Sequence, residues 1–197
     1  MIRRFQALAL AALLALPSAA AAQRATTVIL VRHAEKVTTD PRDPNPGLTA
    51  AGEQRARDLA RLLRRRHVAA VVTSQFARTK LTGRPTAEAA HLTPDTVPAG
   101  RDVQAHAAAV AELIRTRYAG KTVLVVGHSN TVPKIIAALG GPALGDLCDS
   151  AYSNLFTLVI PPRGAPRLAH THYGASDPPG GHDCVSGIVA AHPAAPR

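Results

Sequence analysis

From residue 26 to 31 the chain reads Thr-Thr-Val-Ile-Leu-Val, β-branched and apolar with no alternation. That is the pattern of a strand buried on both faces. It returns at residues 68–72 and 122–126, and residues 155–160 and 168–173 read as two late strands. Helical patterns fill the gaps. Thr49 is placed to cap a helix over 50–66, whose Ala56, Leu59, Leu62 and Leu63 fall on one face. Residues 77–91 have a helical pattern interrupted by Gly83 and Pro85, and 105–118 form a clearer helix. Asn130 is placed to cap a fourth helix reaching about residue 139, with Pro133 tolerated in its first turn and Gly140-Gly141 ending it. Three prolines between residues 40 and 47 mark a loop.

Strands alternating with helices predict an α/β fold: a three-layer sandwich whose central, mostly parallel sheet carries helices on both faces. Ligands in such sheets bind beyond the carboxyl ends of the strands. Arg32-His33 follows the first strand there and Gly127-His128 the third. No internal repeat or domain-sized break divides the chain.

The N-terminus belongs to a different class of segment. Arg3 and Arg4 precede an apolar run over residues 7–16 that is too short to span a bilayer comfortably. Ala20 and Ala22 then satisfy the small-x-small rule for cleavage before Gln23. Residues 1–22 read as a secretory signal peptide, with an uncleaved anchor as the other reading. A single domain is expected over 23–185, and a poorly ordered tail rich in Ala and Pro over 186–197. The expected location is the periplasm or the exterior, with no stable membrane anchor after cleavage.

Of the 197 residues, 175 remain after removal of 22, enough for a real core; the formal charge of +10 falls to +8 with the loss of two arginines. A basic chain can serve nucleic acid, but with no Trp, three Phe and three Tyr there is no platform for stacking bases, and no nucleic-acid partner is expected. Arg61, Arg64, Arg65 and Arg66 sit at the end of a helix, where cations suit its dipole and a solvated face is expected. The overall charge still draws anionic substrates inward. The two cysteines, Cys148 and Cys184, suggest a disulfide in an exported protein.

The chemistry collects at strand ends. An arginine beside His33 offers a planar fork of donors for phosphate oxygens, and imidazole can attack phosphorus. Ser74-x-x-x-Arg78-Thr79 after the second strand adds another guanidinium, and His128 after the third adds another donor. Two Arg and two His converging would neutralise a phosphoryl dianion without a metal or other cofactor and stabilise charge on its equatorial oxygens. The helix start at Asn130 adds backbone N–H groups.

These residues carry a resemblance. Arg32-His33-Ala34 is similar to the Arg-His-Gly hallmark of the histidine phosphatase (phosphoglycerate mutase-like) superfamily, with Ala34 in place of the usual Gly. Leu48-Thr49-x-x-Gly52 with Gln54 and Ala56, Ser74 to Thr79, and Val126 to Asn130 resemble its further motifs. The resemblance spans roughly residues 26–173. It implies His33 as a nucleophile forming a phosphohistidine, Arg32 and Arg78 as phosphate ligands, and His128 as the second histidine. The substrate would be a phosphate monoester, either a small molecule or a phosphorylated envelope component.

The general acid is not settled by the resemblance. One branch places an Asp directly after the second histidine, where this chain has Ser129. Another uses a Glu after the Ser-x-x-x-Arg motif. Asp102 is the best-placed candidate, with a helix-capping role as its other reading, and Glu88 and Glu35 follow. Other activities compete. Gly127-His128-Ser129-Asn130-Thr131 is one residue from a serine-hydrolase elbow, with Asp146 or Asp149 and His170 or His172 downstream. Yet Thr131 stands where the strained turn needs Gly. His33-Ala34-Glu35 matches the H-x-E of zinc deaminases, but the cysteines lack their P-C-x-x-C. A mutase-type phosphotransferase and a non-catalytic phosphate-binding protein complete the alternatives. The short stretch between Arg78 and His128 leaves little room for the lid a mutase needs.

Overall fold

The computed structural model describes residues 24–177. Segment 1–22, read above as a signal peptide, the tail 186–197, and Cys184 with its expected pairing to Cys148 lie outside the described residues. Ten elements follow in order: β1 (Thr26–Arg32), α1 (Ala50–Leu63), β2 (Val68–Thr73), α2 (Ala77–Ala89), β3 (Asp95–Thr96), α3 (Val103–Arg117), β4 (Thr122–Gly127), α4 (Thr131–Ala138), β5 (Asn154–Ile160) and β6 (Arg167–His172). The sheet runs β3-β2-β4-β1-β5-β6. The β1·β4, β2·β4 and β2·β3 pairs are parallel, while β1·β5 and β5·β6 are antiparallel. Only β5 therefore opposes the common strand direction.

The apolar strands lack alternation because both faces are covered. On one side Ile29, Val31, Val71, Leu124 and Val126 pack with Leu59 and Leu63 of α1 and Ala87 of α2. On the other, Val28, Leu30, Val72, Val123 and Val125 pack with Val110 and Ile114 of α3 and Ile135 and Ile136 of α4. This is the expected three-layer sandwich. The helices after β1 and β4 leave toward opposite faces, so the crevice between these neighbouring strands is a topological switch point. β1 and β4 end in register, with Arg32 opposite Gly127. Among the described residues no helix is long and apolar enough to cross a membrane.

Helix ends differ from expectation where side chains compete for the backbone. Thr49 caps α1 as expected, accepting from the Gly52 N–H at 3.1 Å. Gly52 is required by close approach, because a Cβ there would lie 2.3 Å from the Glu35 carbonyl oxygen. α3 starts two residues early because Asp102 caps it, accepting from the Ala105 N–H at 2.9 Å. Asn130 does not cap α4 with its side chain. The Val132 N–H it would serve donates to the His128 carbonyl, and Pro133 has no N–H. Thr131 turns its hydroxyl back to accept from the His128 N–H at 2.8 Å. That turn depends on Gly127, whose Cβ would stand 2.7 Å from the Thr131 hydroxyl. α4 ends at Gly140 and Gly141 as expected, with Gly140 at φ +91°. Arg61, Arg64, Arg65 and Arg66 are all solvent-exposed.

Candidate functional site

Three strand ends meet at one open cavity of about 570 Å³, lined by Arg32, His33, Arg78 and His128. Arg32 is the last residue of β1 and His33 the next, tied down by its N–H donating to the Gly127 carbonyl at 2.9 Å. Ser74 follows β2, Arg78 lies in the first turn of α2, and His128 follows β4. The His33 and His128 rings stand 5.4 Å apart, edge to face. Each functional side chain thus extends from the rigid sheet or from the first turn of a packed helix.

His33 is held in one tautomer. Its Nδ1 lies 2.8 Å from the Ala34 carbonyl oxygen. A carbonyl can only accept, so Nδ1 carries the proton and Nε2 keeps its lone pair. Burial, with the charges of Arg32, His128 and Arg78 adding to it, lowers the His33 pKa to about 3. The Ala34 carbonyl opposes this without reversing it. The ring is therefore a neutral nitrogen nucleophile near neutral pH. The Ala34 N–H donates to the Thr82 hydroxyl at 2.9 Å, and Thr82 donates to the Arg78 carbonyl at 2.7 Å, so α2 braces the His33 loop.

His128 is likewise neutral, its pKa lowered to about 4 by burial first and then by Arg78 and other cations. Its Nε2 lies 3.0 Å from the Ser74 hydroxyl, which is 2.9 Å from that of Thr79. With Ser74 donating to Nε2, Nδ1 becomes a donor suited to a phosphate oxygen.

Arg32 is 3 % exposed. Its Nη1 donates to the Cys148 carbonyl at 2.7 Å, Nη2 to Asp149 at 3.2 Å, and its guanidinium lies 4.4 Å from the centre of the Tyr152 ring. The Nε atoms of Arg32 and Arg78 are both buried without a partner among the described residues. Burial lowers the Arg78 pKa, and the like charge of Arg32 lowers it further. Two crowded guanidinium groups with idle donors make a receptor for an oxyanion.

The structure sorts the remaining candidates. Asp102 takes the capping geometry and does not line the cavity, although Arg101 and Val103 on either side of it do. Glu35 is committed to the nearly buried Arg55, whose Nη2 donates at 2.7 Å and whose Nε lies 3.0 Å from both carboxylate oxygens. Arg55 also reaches the Tyr173 and Ala175 carbonyls at 2.9 Å each. That network leaves Glu35 unsuited to ligate a metal beside His33. Glu88 pairs with Arg84 on the outside of α2. Ser129 lines the cavity, but His170 stacks on Phe156 and pairs with Asn154 on the β5–β6 side, so no Ser129-centred triad is assembled with it. His172 stands beside His170 and does not line the cavity either.

Four site residues escaped the sequence reading in the roles they occupy: Asp149 and Tyr152 against Arg32, and Lys36 and Arg101 on the cavity wall. Asp149 is the one carboxylate among the described residues that line the cavity. Its only signal in the sequence is indirect: a buried Arg32 must find acceptors somewhere.

Residues 28–99 match the model of the histidine phosphatase superfamily (branch 1), a stretch holding Arg32, His33 and Arg78. Among curated proteins no relative matches. Solved structures are similar over most of the chain. A mycobacterial glucosyl-3-phosphoglycerate phosphatase is 19% identical, with TM-score 0.58 over 78% of this chain and 100% of its own. The protein histidine phosphatase SixA, complexed with tungstate, is 20% identical, with TM-score 0.57 over 74% and 96%. YhfR of Bacillus stearothermophilus is 22% identical, with TM-score 0.57 over 73% and 95%. These structural likenesses show the fold.

Proposed function

We propose that this chain, whose residues 28–99 match the histidine phosphatase superfamily, hydrolyses phosphate monoesters through a phosphohistidine on His33, without a metal. One observation carries the reading: a neutral imidazole with its Nε2 lone pair free shares a cavity with two guanidinium groups whose Nε donors are unpartnered. Arg32, Arg78 and His128 hold the phosphoryl oxygens. His33 Nε2 attacks phosphorus in line, the ester P–O bond breaks, and the leaving oxygen takes a proton from a carboxylic acid. Water then attacks the phosphohistidine, giving its proton to the same carboxylate, and inorganic phosphate leaves with the imidazole neutral again. Hydrolysis is preferred to mutase transfer because the cavity is open to water.

Two carboxyl groups compete to supply the proton. Asp149 is favoured by lining the cavity. Asp102 is the second reading, supported by the cavity-lining residues on both sides of it.

The test is hydrolysis of phenyl phosphate by protein dialysed against EDTA. Activity should be unchanged by chelation, because two arginines and two histidines supply what a metal otherwise would. Orthovanadate, an oxyanion like the tungstate held by SixA, should inhibit. Loss on chelation, restored by zinc or magnesium, would overturn metal independence.

The proposed setting is outside the cytoplasm, on the strength of residues 1–22. Protein isolated from its native host should begin at or near Gln23. An intact mass that includes residues 1–22 would count against release.

A further inference from the structure

Arg32 is oriented by a loop. Between α4 and β5 the described chain forms neither helix nor strand. That stretch nevertheless supplies the partners of the Arg32 head group: the Cys148 carbonyl, Asp149 and the Tyr152 ring. Nη1 and Nη2 donate to the loop, while Nε has no partner among the described residues. The loop thus decides which donor is left for an oxyanion. A guanidinium is a rigid planar fork, so a loop that shifts would turn its donors away from the angle an anion needs.

Asp177 anchors that loop. It is 7 % exposed. Its carboxylate accepts from the Tyr152 N–H at 2.9 Å, from the Ser153 N–H at 3.0 Å and from the Ser153 hydroxyl at 2.7 Å. Three donors on one nearly buried carboxylate offset the cost of taking its charge out of water. All three come from the two residues that close the loop, and Tyr152 carries the ring beside Arg32. The segment bearing Asp177 is itself held by Arg55, which donates to the Tyr173 and Ala175 carbonyls and pairs with Glu35. Glu35 lies on the loop that begins with His33. Contacts therefore run in a circuit from that loop through Glu35, Arg55 and residues 173–177 to Tyr152 and back to Arg32. Asp177 is not among the described residues that line the cavity. Its route to a bound phosphoryl group is the loop.

We infer that Asp177 is a positioning residue for phosphoryl binding: it fixes the backbone of Tyr152 and Ser153 and thereby orients Arg32. The inference rests on the phosphatase reading and adds to it a residue that touches no substrate. A merely structural Asp177 would change stability and leave the oxyanion affinity of the folded protein alone.

The experiment measures the Kd of orthovanadate by isothermal titration calorimetry on folded protein. Asp177→Ala should raise it about tenfold or more, the scale of one charge-assisted contact. Asp177→Asn should recover most of the affinity, because both backbone N–H groups share one carboxylate oxygen and an amide oxygen can replace it. Tyr152→Leu should weaken binding and Tyr152→Phe should not, because the ring is what meets Arg32. An ammonium has no plane to orient, so in Arg32→Lys the addition of Asp177→Ala should change Kd by less than about twofold. An unchanged Kd in Asp177→Ala, or an effect of the same size with and without Arg32→Lys, overturns the positioning role. Where Asp177→Ala does not fold, Tyr152→Leu decides, and an unchanged Kd there overturns it too. If the wild type still turns over phenyl phosphate, these results leave the phosphatase reading standing. A wild type that neither turns over phenyl phosphate nor binds orthovanadate overturns that reading and the positioning role with it.

Discussion

His33→Ala should reduce hydrolysis of an aryl phosphate by about 10³-fold or more, the scale seen when a covalent nucleophile is removed. The size follows from the division of labour in the site. Arg32, Arg78 and His128 can still hold a phosphoryl group in the variant, so binding of orthovanadate should survive in part. What disappears is, among the described residues lining the cavity, the one imidazole whose tautomer is fixed with Nε2 unprotonated, through the Nδ1 proton held by the Ala34 carbonyl. The wild-type protein should also resist loss of nucleophile in mild acid. An ordinary histidine is half protonated near pH 6.5, whereas burial keeps His33 neutral down to about 3. The limit below neutrality should instead come from unfolding. Between pH 6.5 and about 4, both His33 and His128 take up protons in the unfolded chain and not in the folded site. The unfolded state then binds up to about two more protons, so stability falls as pH falls, by as much as about 2.7 kcal/mol per pH unit. Paired measurements of turnover and circular dichroism from pH 7 to 4 check this. Full activity in His33→Ala, or labelling of Ser129 by a fluorophosphonate with loss of turnover, would sink the phosphohistidine mechanism.

The parts of this site that were legible in the chain are those set by local rules. Val28 to Val31 must be covered on both sides, and the residues after such strands fall at the ligand-binding edge. Arg32, His33, Arg78 and His128 could therefore be placed from spacing and residue type together. Gly52 and Gly127 stand where a Cβ would collide with the Glu35 backbone or the Thr131 hydroxyl, which explains two motif positions physically. Long-range partners were not legible. Arg32 finds Cys148 and Asp149 across more than a hundred residues, and Arg55 finds Tyr173 and Ala175 across as many. No periodicity encodes such pairings; they follow from where a loop lands once the sheet is built. The two-residue β3 has too little pattern to be seen. Asn130 looked like a cap by residue type, but Val132 already donates its N–H to the His128 carbonyl and Pro133 has no N–H to offer.

Asp149→Asn should slow alkyl phosphates by about 10²-fold or more, the usual scale for a lost general acid. It should slow a nitrophenyl ester much less, because nitrophenolate leaves readily without a proton. The comparison of leaving groups is what makes the result interpretable. Asp149 also pairs with Arg32 at 3.2 Å, but its side chain is 96% exposed, so losing that pair alone should change stability little. Whatever it does to phosphate affinity should apply equally to both esters. Only a proton donor acts more strongly on the poorer leaving group. Asp102 offers the matched control. Its carboxylate caps α3 through the Ala105 N–H, and Asn caps about as well as Asp, so Asp102→Asn should leave both rates nearly unchanged. Asp102→Ala should cost roughly 1 kcal/mol of stability and leave the ratio of the two rates intact. The reverse pattern, with the ratio altered in Asp102→Asn and not in Asp149→Asn, would assign the proton to Asp102 and show that its capping geometry gives way when an ester is bound. An unaltered ratio in both variants would remove both carboxylates from the role and point to a leaving group that departs without their help.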